Sequence, residues 1–89
     1  MFEWDENKRR SNLAKHGVDF AVIDLFNWTS AIIRVDVRHD YGEERLKAEG
    51  LISNRIHSVT YTERGTAKRI ISLRKASKKE VLEWISLSG

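Results

Sequence analysis

Apolar positions change their period once along the chain, and the change separates two kinds of structure. Phe2-Glu3-Trp4 alternates and fits a short strand. Asp5 is placed to cap a helix, and Gly17 after His16 is placed to stop it, which predicts a helix near residues 6–16. Asp19 caps a second predicted helix, in which Phe20, Ile23 and Phe26 recur on one side with Val22 and Leu25 beside them. Both helices are short and need a sheet to lie on. From Ala31 the period becomes two: Ile33, Val35 and Val37 alternate with Arg34 and Asp36. A turn around Asp40-Tyr41-Gly42 leads to a run from about Glu44 to Ile52. Ser53-Asn54 predicts a tight reversal into Arg55 to Thr62, and Glu63-Arg64-Gly65-Thr66 a turn into Lys68 to Lys75. Such short connections favour an antiparallel meander. Ser77-Lys78-Lys79-Glu80 reads as a capping box, with Ala76 and Val81 at the staple positions. Val81, Trp84 and Ile85 then form the apolar stripe of a docked closing helix.

The expected fold is therefore α+β: two N-terminal helices and a C-terminal helix on an antiparallel sheet of about four main strands, in one domain over residues 1–89. Alternation sorts the strands into two faces. Leu46, Ala48, Val59, Tyr61, Ile71 and Leu73 fit a face packed on helices. Arg45, Lys47, Glu49, Ser58, Thr60, Ser72 and Arg74 fit a polar, open face. That face is either ordinary solvated sheet surface or a concave surface holding phosphates, which guanidinium groups suit by geometry.

Composition narrows the choices. A chain of 89 residues buries one modest core and has no room for an enclosed active site, so chemistry is expected on an open face or groove. Cysteine is absent, which excludes disulfides and thiolate metal sites. The longest apolar run, Phe20 to Phe26, is interrupted by Asp24 and is far short of a membrane span. Met1 leads straight into Phe2-Glu3-Trp4-Asp5, so no signal peptide is expected and the location expected is cytoplasmic. The net charge of +3 is mild, but its distribution is not. Arg64, Lys68, Arg69, Arg74, Lys75, Lys78 and Lys79 follow one another with no acid between, and Lys8, Arg9, Arg10 and Lys15 form a second cluster. Such clustering favours a polyanionic partner, nucleic acid first.

Four motifs resemble those of one family. Phe2-Glu3-Trp4-Asp5, then Asn12-Leu13-Ala14-Lys15-His16-Gly17-Val18 with Phe20, are similar to the opening of BrnT toxins. Asp36-Val37-Arg38-His39 with Gly42-Glu43-Glu44-Arg45 and Gly50 is similar to their central motif. Tyr61-Thr62-Glu63-Arg64-Gly65 and Arg69 to Ala76 resemble their closing strands. The chain departs from the family pattern at Leu46, Glu49, Ser58 and Thr60. The resemblance implies a RelE-like fold with helices on one face of the sheet, and RNA cleavage without a metal or other cofactor. It also implies a BrnA-like antitoxin with a ribbon-helix-helix element. The pair is expected to form a heterotetramer that meets DNA only through the antitoxin and has no membrane partner.

Metal-free RNA cleavage uses the 2′-hydroxyl as nucleophile. It needs a base, an acid for the leaving 5′-oxygen and cations around the phosphorane. Arg45 and Arg74, at family motif positions, are the candidate cations; the ordinary alternative for each is a salt bridge to a nearby carboxylate. His39 or Glu44 is the candidate base, His39 needing no tuning of its pKa. Lys47, Arg64, Arg69 and Lys75 are candidates for RNA contact. His16 reads as a helix C-terminal cation, His57 as a packed histidine, and Trp4, Trp28 and Trp84 as packing residues. The three histidines lack ligand spacing, so no metal site is expected. The competing readings are a non-catalytic nucleic-acid-binding module and a protein-interaction domain. Neither a helix-turn-helix signature nor RNP aromatics support the former directly.

Overall fold

A three-residue strand, β1 (Phe2–Trp4), opens the fold and runs into helix α1 (Glu6–His16). The structure, a computed structural model, describes residues 1–38 and 42–88. The candidate base His39 and the Asp40-Tyr41 part of the expected turn lie outside the described residues. At the start of α1 the Asp5 carboxylate accepts hydrogen bonds from the backbone N–H of Asn7 and Lys8 at 2.8 and 3.2 Å. At its end Gly17 adopts φ 72°, a left-handed conformation that glycine enters without steric cost, and its N–H donates to the Leu13 carbonyl.

The second predicted helix is a 3₁₀ helix, Phe20–Leu25. Phe20, Ile23 and Phe26 are spaced by three, which matches the 3₁₀ repeat better than the 3.6 of an α-helix. Phe26 already has extended backbone and bridges to Ile52. All three side chains are buried.

Four further strands follow: β2 (Ile32–Val35), β3 (Leu46–Ile52), β4 (Arg55–Arg64) and β5 (Ala67–Lys75). They form the expected antiparallel meander, but the sheet has five strands, in the order β1-β5-β4-β3-β2, and is mixed. β1 pairs with β5 in parallel, Phe2 opposite Lys68 and Trp4 opposite Ile70. No hairpin joins these two strands, so nothing forces them antiparallel.

Alternation places the core correctly in β3 and β4 and slips in β5. Thr60 pairs with Ser72, yet Tyr61 pairs with Ile70, leaving Ile71 as the extra residue of a bulge. Ile70 rather than Ile71 therefore shares the buried face with Leu73, Ala48, Val59 and Tyr61, against Val18, Phe20, Ile23 and Phe26. Phe2, Trp4 and Trp28 close the rim of this core. Trp28 lies edge-on to Phe26 and Tyr61, with ring centroids 4.6 and 5.3 Å away.

Beyond the reach of β1, α1 takes over as the neighbour of β5. The buried Asn12 amide accepts from Leu73 N–H at 3.1 Å and donates to the Leu73 and Val18 carbonyls at 2.6 and 3.0 Å. One side chain thus does for Leu73 what a further strand would do.

Helix α2 (Lys78–Ser88) starts with the predicted capping box: Glu80 N–H donates to Ser77 Oγ at 3.2 Å, and Ser77 N–H donates to Glu80 Oε1 at 2.8 Å. It does not join the other helices. It lies on the opposite, polar face of the sheet, near β2 and β3. Trp84 Nε1–H donates to the Ser30 carbonyl. Ile85, expected in the docked stripe, is largely exposed, as are Leu82 and Leu87. No helix among the described residues is long and apolar enough to cross a membrane.

Candidate functional site

Strand register sets the polar face in rows. Arg34, Lys47, Thr60 and Ser72 make one row across β2 to β5, and Ile32, Glu49, Ser58 and Arg74 the next. The face is not the open surface expected, because α2 covers part of it: Glu49 is 1% exposed and Ser58 3%. The first turn of α2 delivers Glu80 onto the two rows. Arg74 donates to it through both terminal nitrogens, at 2.7 and 2.9 Å, and Lys47 Nζ donates at 2.5 Å. Glu80 is buried. Burial alone opposes its charge, but the hydrogen bonds from Arg74, Lys47 and the Ser77 N–H outweigh that and hold its carboxyl well below the usual carboxylate range. The same partner raises the pKa of Arg74.

A second set of pairs continues the network. Arg34 reaches Glu49 at 3.1 Å and Glu83 at 3.3 Å. Burial pushes the Glu49 carboxyl up, with Lys47 and Arg34 pulling the other way. Arg34 thus gives a partner to the buried acid at one of the positions that depart from the family pattern. Farther along, Arg38 donates to both oxygens of Asp36 at 2.8 Å and holds that buried carboxyl down at about 2.

The described site residues fall into four places. Arg74 and Lys47 meet at Glu80. Glu44 and Arg45 stand just before β3, with Arg45 Nε 3.8 Å from Glu43 and the Glu44 carbonyl accepting from Thr62 Oγ1. Arg64 shares Glu43 at 3.5 Å from the neighbouring strand end. Arg69 sits opposite Glu3 in the parallel pair and donates to it at 2.7 Å. Lys75 is exposed at the end of β5. Arg45 and Arg74 lie two strands and several residues apart, a backbone separation of roughly 15 Å from strand geometry. His57 is packed as expected, with Nδ1–H donating to the Arg55 carbonyl at 2.9 Å.

Sequence reasoning missed the outer edge of β5. There α1 and β5 enclose a cleft of about 380 Å³ that brings Lys8, Lys15 and His16 to Ile71 and Ser72. The spacing of Lys8, Asn12 and His16 at intervals of four was available as a signal, since it puts them on one side of a helix. Pairing that side with β5 was not, because it depends on Asn12. Among the described residues, no group of three His, Asp or Glu side chains is arranged to hold a metal ion.

Fold and site together define a small α+β domain with one mixed sheet, a charge-paired polar face under its last helix and a basic cleft at its edge. Residues 4–80 match the family described as the ribonuclease toxin, BrnT, of type II toxin–antitoxin systems, and the chain belongs to that family. No curated protein matched the chain. Membership places it among ribonuclease toxins and implies an antitoxin partner.

Proposed function

We propose that the chain is an active endoribonuclease toxin that cleaves RNA without a metal cofactor, stops translation and growth, and is neutralised by a BrnA-like antitoxin. Beyond family membership, one observation carries the reading: the Arg74 fork and Lys47 converge on the two oxygens of one carboxylate. That donor set suits a phosphate equally well, and Arg is the residue whose planar donors bind phosphate in two places at once. In the free toxin Glu80 occupies the donors; RNA competes for them. Arg45, Arg64, Arg69 and Lys75 extend the cationic surface along the strands and take flanking phosphates. The toxin acts in the cytoplasm, in a RelE-like manner. Its antitoxin, a ribbon-helix-helix protein in a heterotetramer, silences it by covering this surface with an acid-rich segment.

A second reading has its own support. Every guanidinium and ammonium under α2 has a carboxylate partner, which is what a non-catalytic relic would retain. Induced expression with and without the partner antitoxin, following growth and RNA integrity together, separates the two. RNA decay and growth arrest reversed by the antitoxin support the toxin reading. Normal growth with intact RNA at high toxin level overturns it.

A further inference from the structure

The cleft between α1 and the bulged stretch of β5 is a built feature. Lys8, Ser11 and Lys15 recur at intervals of three and four on the helix wall, and His16 follows. The strand wall is Ile71 and Ser72, where the register slips and Ile71 has no partner in β4. Bulges re-aim side chains and recur beside active sites. The buried Asn12 bonds to Leu73 and Val18 fix the two walls to each other. Arg74 follows on the strand, close enough to His16 to act on its charge.

We propose that this cleft is the catalytic groove for an RNA phosphodiester, with His16 as proton acceptor, Arg74 on the scissile phosphate, and Lys8 and Lys15 on its neighbours. The proposal rests on the ribonuclease reading and locates its chemistry. Burial first, then the charges of Lys15 and Arg74, lower the pKa of His16. A helix C-terminus alone would raise it. The imidazole is therefore neutral near pH 7 and free to accept a proton. The charged groups acting on it are Lys15 from α1 and Arg74 from β5, the last bound in turn to Glu80 of α2; Lys8 lines the same cleft about two turns earlier on α1. His16 takes the 2′-hydroxyl proton, O2′ bonds to phosphorus, and the P–O5′ bond breaks. The 5′-oxygen takes a proton from water at the open rim, and the resulting hydroxide is neutralised by the proton that His16 gives up. The products are a 2′,3′-cyclic phosphate and a 5′-hydroxyl. Arg74 exchanges Glu80 oxygens for the non-bridging phosphate oxygens, where the developing charge is largest.

The test uses the full chain with a single-stranded RNA and its uncleavable 2′-O-methyl analogue. His16→Gln is expected to slow cleavage by about 10²–10⁴-fold while leaving analogue affinity nearly unchanged. In wild type the acid limb of the pH–rate profile has its midpoint below about 6.5, and His16→Gln lacks that limb. The double change Lys8→Ala, Lys15→Ala, on an exposed helix face that leaves folding intact, weakens analogue binding and reduces the slope of log affinity against log salt by about 1.4. Unchanged cleavage in His16→Gln and in the lysine pair overturns the proposal and leaves the ribonuclease reading standing. A wild-type chain that cuts no RNA overturns the ribonuclease reading. Analogue binding indifferent to the lysine pair then overturns the groove as well.

Discussion

Replacing Glu80 with Gln is expected to make the protein less stable and its grip on RNA stronger. Glu80 accepts from Arg74 twice, from Lys47 and from the Ser77 N–H, all at 2.5–2.9 Å, and only about a tenth of its side chain is exposed. Breaking a buried ion pair by removing one partner costs about 3–5 kcal/mol. Arg74 and Lys47 keep 30% and 21% of their side-chain exposure, so water recovers part of that. Glutamine also preserves the shape and one acceptor. The expected loss is about 2–3 kcal/mol, or a fall in Tm of about 10–20 °C for a domain this small. The pH dependence has a definite sign. Glu80 has a depressed folded-state pKa, so its stabilisation is fully present above the ordinary value of 4.5 and is lost as pH falls toward the depressed one. Wild type and Glu80→Gln should therefore differ most near neutrality and converge in acid. In RNA binding the variant frees two cations, and affinity should rise by about five-fold or more at low salt, with a steeper salt dependence. Thermal melts from neutral to acid pH, with binding of an uncleavable RNA at two salt concentrations, decide it. A melting point within about 2 °C of wild type at pH 7 would mean that the network contributes nothing. Weaker RNA binding would mean that Glu80 is not competing with phosphate.

Three further substitutions probe how the site is held. Asn12→Leu strands the Leu73 N–H and the Leu73 and Val18 carbonyls, and is expected to cost about 2–4 kcal/mol; amide exchange at Leu73 should accelerate well beyond that of its neighbours in β4. Gly50→Ala places a Cβ 2.8 Å from Phe26 Cζ and 3.2 Å from both Ala31 Cβ and the Asn27 carbonyl oxygen. Overpacking of about 1–3 kcal/mol should appear as a lower denaturation midpoint with an unchanged m-value. Ser77→Ala removes the acceptor of the Glu80 N–H and should lower stability by about 1 kcal/mol in urea titration, with no gain in RNA affinity because the Glu80 carboxylate stays in place.

Local signals in the chain were legible wherever the physics is local. Asp5, Gly17 and the Ser77–Glu80 box act within one helical turn, and each sits where its spacing put it. The meander and the core positions of β3 and β4 follow from a period of two, and the match to the BrnT family over residues 4–80 follows from ordered motifs. What could not be read is set by pairs distant in sequence. β1 finds β5 across the whole chain, so its parallel direction has no hairpin to announce it. The bulge at Ile71 is one residue long and invisible to an alternation that reads equally well either way, since Ile70 and Ile71 are both apolar. The side chosen by α2 is the costliest of these omissions. Its stripe of Val81 and Trp84 says that the helix docks, but only Glu80 says where, because a carboxylate buried by the docking must find cations, and Lys47 and Arg74 stand on the polar face. For Arg74 the structure forms the ordinary alternative, a salt bridge, and Lys47 shares the same carboxylate. A buried carboxylate and two cations on one sheet face satisfy each other's charge, so the docking of α2 and the pairing of that face are one energetic event that no single stretch of sequence encodes.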